Sequence, residues 1–394
     1  MCSRLIPLLT LLLLAPLARA AKPVTVAQLE QILIADRGQS DNRIAGELRG
    51  LTLTERATAA RLAAWQAQFA GPRTQRALLL LADESSFQPL PASDISPDPP
   101  PGLHAEGKIF AAALVYASQT IHNLPNLMAT RQTLHFEASP DQVMEQFENA
   151  NAPANFAFGI LSLGKPSPSM ESPNYLPLHL TEKLSAPVTY RDGKEVRTGD
   201  ADTRKPNLGL TTSGEFGPIL STVLGDALHS TLLWDYWQQH GGTRLAVFRY
   251  KVPAEKSHYL VEFPSGHAIA RSNPAYHGEI AVDPATGAID RISILSEPDP
   301  PFQSIGTGIL VEYGPVVLAG RTYICPLHGV ALSKTPVILG LESPHSAATP
   351  WQIHLNDVAF TRYHLFHADV RILTKEESQH LGNQPPASPA PPHQ

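Results

Sequence analysis

Glu279-Ile280-Ala281-Val282-Asp283-Pro284-Ala285-Thr286-Gly287-Ala288-Ile289-Asp290-Arg291-Ile292-Ser293-Ile294 sets two β-prone runs around a five-residue turn. Proline suits a type I turn there, and Gly287 suits the left-handed residue that follows it. The stretch reads as an antiparallel hairpin. Two more hairpins are expected around it. Val188-Thr189-Tyr190 and Glu195-Val196 flank Arg191-Asp192-Gly193-Lys194, and Asp-Gly is a pair that a two-residue type I′ loop favours. Leu245 to Val252 is expected to pair with Tyr259 to Phe263 across Pro253-Ala254-Glu255-Lys256. Ile309 to Tyr313 and Arg321 to Cys325 read as strands turned by Ala319-Gly320. A closing strand is expected from about Val358 to Ile372. Its even positions, such as Val358, Phe360 and Phe366, are mostly apolar, and its odd positions, such as Asp357, Thr361 and His367, are mostly polar. That alternation predicts a sheet covered on one side.

Helices are expected upstream and within this region. Pro218 opens one that carries Ile219, Val223, Leu224 and Ala227 on one face. It should lie over the apolar face of the sheet, with Trp234 and Trp237 at the edge of the core. A longer helix runs from about Glu106 to His122, burying Ile109, Ala112, Ala113, Tyr116 and Thr120. Residues 24–86 read as a helical region. Thr25 caps a helix with Leu29, Ile32 and Leu33. Asp41 is expected to cap a short second helix with Ile44 and Leu48. Thr54 should open a third with Leu62, Trp65 and Phe69, ended by Gly71-Pro72, and Arg76 to Ala82 is a further turn or two. Residues 87–104, with six prolines between Pro89 and Pro101, form a linker. Residues 105–375 form an antiparallel β domain with covering helices, and the tail at 383–394 is expected to be disordered. The fold class is therefore α+β: an N-terminal helical region, then a large curved antiparallel β-sheet, half-barrel-like, covered by helices.

Residues 1–20 read as a signal peptide. Arg4 precedes an apolar run from Leu5 to Leu17, and Ala18-Arg19-Ala20 supplies the small residues of a cleavage site. The run is shorter than the roughly 20 residues a membrane span needs, so no transmembrane segment is expected after cleavage. The protein is then exported, either periplasmic or extracellular. Of its two cysteines only Cys325 would remain, which excludes an internal disulfide and a zinc site built on several cysteines. A net charge of -6 over 394 residues argues against a nucleic-acid partner, which would call for a basic patch.

The common catalytic signatures are absent: there is no G-x-S-x-G elbow, H-E-x-x-H or phosphate loop. Sixteen histidines raise the question of metal binding. His364 and His367 are close, but on a strand their odd spacing sends them to opposite faces, giving a packed His364 and a solvated His367. Cys325 and His328 read as structural. Asp200, Asp202 and Glu195 read as a solvated loop in preference to a calcium site. Ser257 and His258 with Asp235 or Asp283 would be a triad only if geometry joined them. No catalytic residue, metal ligand or cofactor is assigned. Trp234, Tyr236, Trp237, Phe248 and Tyr250 form an aromatic cluster that reads either as core or as the lining of an apolar ligand site.

Leu124-Pro125-Asn126-Leu127-Met128-Ala129-Thr130-Arg131, Tyr190-Arg191-Asp192-Gly193-Lys194-Glu195, Gly214-Glu215-Phe216-Gly217-Pro218 and Phe360-Thr361-Arg362-Tyr363-His364-Leu365-Phe366 resemble a family of uncharacterised exported bacterial proteins. The hairpin rhythm and Tyr276-His277-Gly278-Glu279-Ile280-Ala281-Val282-Asp283-Pro284 look like the half-barrels of periplasmic lipoprotein carriers. The second likeness implies a curved sheet around an apolar cavity closed by helices. The function expected is that of an exported, non-catalytic envelope protein binding an apolar ligand, lipid or lipoprotein-like, or a protein partner. The alternatives are a histidine-based metal-dependent hydrolase and a structural component of a surface assembly.

Overall fold

A computed structural model describes residues 21–138, 178–197, 209–240, 242–265, 268–296, 306–336 and 351–365. Residues 1–20, expected to be a signal peptide, Asp200, Asp202, His367, the last part of the expected closing strand and the C-terminal tail lie outside the described residues. The architecture is α+β. Its main element is a ten-stranded antiparallel sheet built from β3 (Leu127–Glu137), β4 (His179–Arg191), β5 (Lys194–Arg197), β6 (Thr231–His240), β7 (Thr243–Val252), β10 (Tyr276–Val282), β11 (Ile289–Ser296), β12 (Gly306–Leu318), β13 (Arg321–Pro336) and β14 (Trp351–Leu365). The spatial order is β5-β4-β3-β14-β13-β12-β11-β10-β7-β6. β5 and β6 stand at opposite edges, so the sheet is open. β3 pairs with β14, which brings the first and last long strands side by side. Among the described residues no helix is long and apolar enough to cross a membrane.

Local turn chemistry fixes several of these pairings. Between β10 and β11, Asp283 N–H donates to Ala288 O at 2.9 Å and Gly287 N–H to Asp283 O at 2.8 Å. Gly287 has φ 75°, and a Cβ there would lie 2.5 Å from Ala112 O, so this turn can take only glycine. Asp192 and Gly193 have φ 53° and 77°, and Ala319 and Gly320 have 47° and 77°. Both pairs form two-residue turns with the double positive φ of type I′.

Helices α5 (Leu103–Asn123) and α6 (Pro218–Leu228) cover one face of the sheet. Phe110, Ala113 and Ala117 of α5 and Leu220, Val223, Leu224 and Ala227 of α6 pack on Phe248, Tyr250, Ile280, Ile292 and Val311. The opposite face is also covered. The N-terminal module lies there: α1 (Val26–Ala35), α2 (Asp41–Leu48), α3 (Ala59–Gln68) and α4 (Pro72–Glu84), with the short parallel pair β1 (Lys22–Val24) and β2 (Leu51–Leu53). Leu80 of α4 packs with Phe136, Leu310, Val330 and Leu355. Covering on one side only, the pattern expected from β14, is therefore corrected. The odd position Asp357 is only 5% exposed, because it is enclosed in an ionic cluster beneath α4.

Other expectations are corrected by longer-range contacts. Leu245 to Val252 does not pair with Tyr259 to Phe263. β7 lies between β6 and β10, and β8 (Val261–Ser265) pairs with β9 (Ala268–Ser272) in a separate ribbon. The buried Asp226 carboxylate of α6 draws the chain off the sheet by accepting from His258 N–H at 2.8 Å and from its ring at 2.6 Å. His364 is exposed, not packed. A bulge between Thr361 and His364, with Arg362 at φ 52°, turns Tyr363 inward against Phe216 instead. Thr25 does cap α1, with a reciprocal bond from Gln28. Asp41, however, is the first residue of α2 and caps α4, accepting from Thr74 N–H at 2.8 Å and Arg73 N–H at 3.2 Å. Thr58, not Thr54, opens α3, because residues 51–53 are held as a strand by β1. The proline-rich segment runs along the β6 edge. Ser96 N–H donates to Trp237 O at 2.8 Å and Trp237 Nε1–H to Pro99 O at 3.0 Å, covering backbone that an edge strand would otherwise leave open.

Candidate metal centre

Strand alternation places Arg131, Thr133, His135 and Glu137 of β3 on one face. Register then sets Asn356 of β14 opposite His135, and His354 opposite Glu137. The next strand in the same row, β13, contributes Ser333 opposite His354. A polar cluster thus forms beyond the end of the apolar layer under α5 and α6. His135 is 2% exposed and His354 9%, and their rings stack with centroids 5.5 Å apart.

Glu137 Oε2 stands 3.5 Å from His135 Nε2 and 3.5 Å from His354 Nδ1. Both nitrogens are buried and make no hydrogen bond. An unpaired buried polar atom is costly, on the order of 1–3 kcal/mol, and two that converge on one carboxylate oxygen call for a shared partner. Ligand atoms about 2.0–2.2 Å from a tetrahedral zinc ion stand roughly 3.3–3.6 Å from one another, which is the spacing of Glu137 Oε2 to each ring. All three ligand atoms lie within 4.8 Å of one another. Burial, and then the neighbouring His135 ring, lower the pKa of His354 below the ordinary histidine value against the pull of Glu137. The neutral imidazole that a metal requires is thereby favoured.

A strap at residues 209–216 crosses this face. Gly209 has φ 60°, and a Cβ there would lie 2.4 Å from His354 Cβ and 2.8 Å from Ser333 Oγ, so glycine alone lets the backbone pass. Leu210 N–H donates to Ser333 Oγ at 3.1 Å, and Asn356 Nδ2–H donates to Leu210 O at 2.7 Å. Further along, Arg131 donates to Thr212 O at 2.8 Å and to its hydroxyl at 3.0 Å, and pairs with buried Glu215 at 3.3 Å.

A second histidine–carboxylate cluster lies on the other face and differs in kind. His328 Nδ1 lies 3.0 Å from Glu312 Oε2, and its Nε2 lies 2.8 Å from Asp357 Oδ1 and 3.6 Å from Asp83 Oδ1. Both nitrogens face carboxylates, so both donate and the ring is an imidazolium with no lone pair for a metal. Burial works against that charge, but the hydrogen bonds to Asp357 and Glu312 and the charge of Asp83 outweigh it and hold His328 well above its usual pKa. The cluster continues through Arg291 to Glu279, which also binds Arg56 of the N-terminal module at 3.1 Å. It is an ionic clamp between the module and the sheet.

The aromatic residues singled out from the sequence are divided by the sheet. Trp237, Phe248 and Tyr250 are buried, and Trp234 packs beside them. Trp234 touches Trp237 and Phe248 at centroid distances of 4.6 and 5.5 Å, and Phe110 of α5 touches Phe248 at 5.6 Å. Tyr236 is on the opposite face, its hydroxyl 3.2 Å from Glu279. A bulge between Trp234 and Tyr236 lets two tryptophans three residues apart share one face. His258 is paired with Asp226, not with Asp235 or Asp283. Cys325 is fully buried with Leu127, Val358 and Phe360. His135, Glu137 and His354 were not singled out from the sequence. Their one local signal is His135-Phe136-Glu137, since residues two apart on a strand share a face. Comparison of the chain with protein-family models, with curated proteins and with solved structures finds no match.

Proposed function

We propose that this protein is an exported metal-dependent hydrolase, with zinc the first candidate metal, held by His135 Nε2, Glu137 and His354 Nδ1. One observation carries the reading: two buried, unpaired imidazole nitrogens stand at equal 3.5 Å distances from one Glu137 oxygen. Three protein ligands leave a fourth position for water, the arrangement of catalytic rather than structural zinc. Held by His135, Glu137 and His354, zinc would supply Lewis-acid activation of water near neutral pH. The protein's own part is to hold both rings fixed, and to shield them under the Gly209–Leu210 backbone. The leader-like first twenty residues support export. An apolar-ligand role would draw on Trp234, Trp237, Phe248 and Tyr250, and these side chains are used in packing among themselves and against α5, so the polar cluster is the better-supported site.

The test is elemental analysis of protein purified without chelators, followed by zinc titration of metal-free protein. One zinc per chain in the wild type, with binding lost in His135→Ala and His354→Ala, is expected. Undiminished stoichiometric binding in both variants, or none in the folded wild type, overturns the assignment. A panel of ester, phosphoester and peptide substrates, assayed with and without zinc, then tests hydrolysis.

A further inference from the structure

We infer that Asn356 is a positioning residue that selects the metal-competent tautomer of His135 and ties it to the strap over the site. This deepens the metal reading and depends on it for its functional meaning. A single amide makes both contacts: Asn356 Nδ2 lies 2.7 Å from Leu210 O, and Asn356 Oδ1 lies 2.8 Å from His135 Nδ1.

The direction of these bonds follows from chemistry alone. The Leu210 carbonyl can only accept, so it must face the Asn356 NH₂. The amide oxygen then faces His135 Nδ1 and can only accept, so His135 Nδ1 must carry the proton. In the neutral ring Nε2 is left with its lone pair, and Nε2 is the atom 3.5 Å from Glu137 Oε2. A backbone carbonyl of the strap thus dictates, through one amide, which imidazole nitrogen is bare. An outer partner of this kind orients a ligating histidine and fixes its tautomer, and its loss costs about 10–100-fold in metal affinity. The coupling is mutual. If the strap moved away, Asn356 could flip its amide, and Nδ1 would lose its obligatory acceptor. Gly209 packs on His354 and Ser333 in the same strap, so both histidines are held by one segment of backbone.

The experiment uses the full chain, labelled with ¹⁵N and freed of metal, so that the tautomer is read without reference to zinc. Long-range ¹H–¹⁵N spectra distinguish the protonated ring nitrogen, and the His135 signals are assigned by their absence in His135→Gln. In the wild type, Nδ1 protonated and Nε2 bare is expected. Asn356→Leu should give a mixed or inverted tautomer and a zinc affinity about 10–100-fold weaker in competition with a chromophoric chelator. Asn356→Asp keeps an acceptor for Nδ1–H and should preserve the tautomer, with zinc affinity at least that of the wild type. It also keeps the inference testable if the leucine variant does not fold. A wild-type ring protonated at Nε2, or a tautomer unchanged in Asn356→Leu, overturns the assignment. A wild-type ring protonated at Nδ1 that binds no zinc upholds the positioning role and overturns the metal reading alone.

Discussion

His328 of β13 donates to Asp357 of β14 across 2.8 Å, beneath helix α4, whose Asp83 approaches the same ring nitrogen at 3.6 Å. The surrounding charges balance only if one acid is neutral. Arg56, Arg291 and His328 face Glu279, Glu312, Asp357 and Asp83. Burial, and then the charge of Asp357, push Asp83 well above the usual carboxylate pKa. Burial also opposes the charges of Glu279 and Glu312. For Glu279 the arginines outweigh it, and for Glu312 the His328 hydrogen bond and charge do, so both carboxyls stay below their ordinary values. Asp83 is therefore the acid whose carboxyl burial drives toward the neutral form.

The clamp gives stability a definite pH slope. His328 has a folded-state pKa above its unfolded value of 6.5. The stability it contributes is fully present below about pH 6.5 and is lost as pH rises through the folded value. Asp83, also raised, acts with the same sign from above pH 3.8. Urea midpoints should therefore fall as pH rises above about 6.5. His328→Leu removes the cation from among three acids and should cost about 2–4 kcal/mol at pH 6, tempered by the partial exposure of the ring. Asp83→Asn mimics the protonated acid. It should be neutral or stabilising at pH 8 and should flatten the slope. A wild-type midpoint that rises from pH 7 to pH 9 would contradict this assignment.

Asp41 and Gly71 form one capping unit, though they are distant in sequence. Gly71 is the N-cap of α4 at φ -70°, a conformation open to any residue. A Cβ there would nonetheless lie 2.2 Å from Asp41 Oδ1, the oxygen that accepts from Thr74 N–H. Gly71→Ala should displace the cap and lower the thermal midpoint about as much as Asp41→Ala. The double variant should lose no more than the larger single loss. Full additivity in that cycle would show that the two residues act separately.

The parts of the fold legible in the sequence were those encoded over a few residues. Asp192-Gly193 and Asp283 to Gly287 announce their turns because few residues tolerate the required φ. The Thr25 cap and the apolar face of α6 follow from spacing of one helical turn. Asp357 was misread because polarity on alternate positions implies solvent only when nothing covers that face, and the cover here is the N-terminal module. His364 was misread because one left-handed residue, Arg362, resets the alternation. The proposed metal centre was half visible. His135-Phe136-Glu137 is a two-ligand face in any strand, but His354 joins it only through the β3–β14 pairing, which no local pattern specifies.

Cys325 should be inert in the folded protein. Burial pushes its thiol up to about 12, so at pH 8 roughly one molecule in ten thousand would carry the reactive thiolate. A disulfide reagent should react only as the chain unfolds, with a rate set by unfolding and independent of reagent concentration once the reagent is in excess. A fast reaction in native buffer, first order in reagent, would place the thiol at the surface.

Zinc should stabilise the folded chain in proportion to its occupancy. A ligand that binds only the native state adds RT ln(1 + [L]/Kd), or about 2.7 kcal/mol at a hundredfold excess over Kd. The thermal midpoint of metal-free wild-type protein should rise with zinc concentration and fall back with a chelator. In His354→Ala the rise should vanish, since only two of the ligands of the centre remain. Magnesium at the same concentration should have little effect, because it prefers octahedral oxygen ligands and this centre offers two nitrogens. His328→Leu should keep the full zinc response at pH 6 despite its lower starting stability, because the ionic clamp and the proposed metal centre occupy opposite faces of the sheet. If the clamp variant lost its zinc response and His354→Ala kept it, the metal would belong at His328.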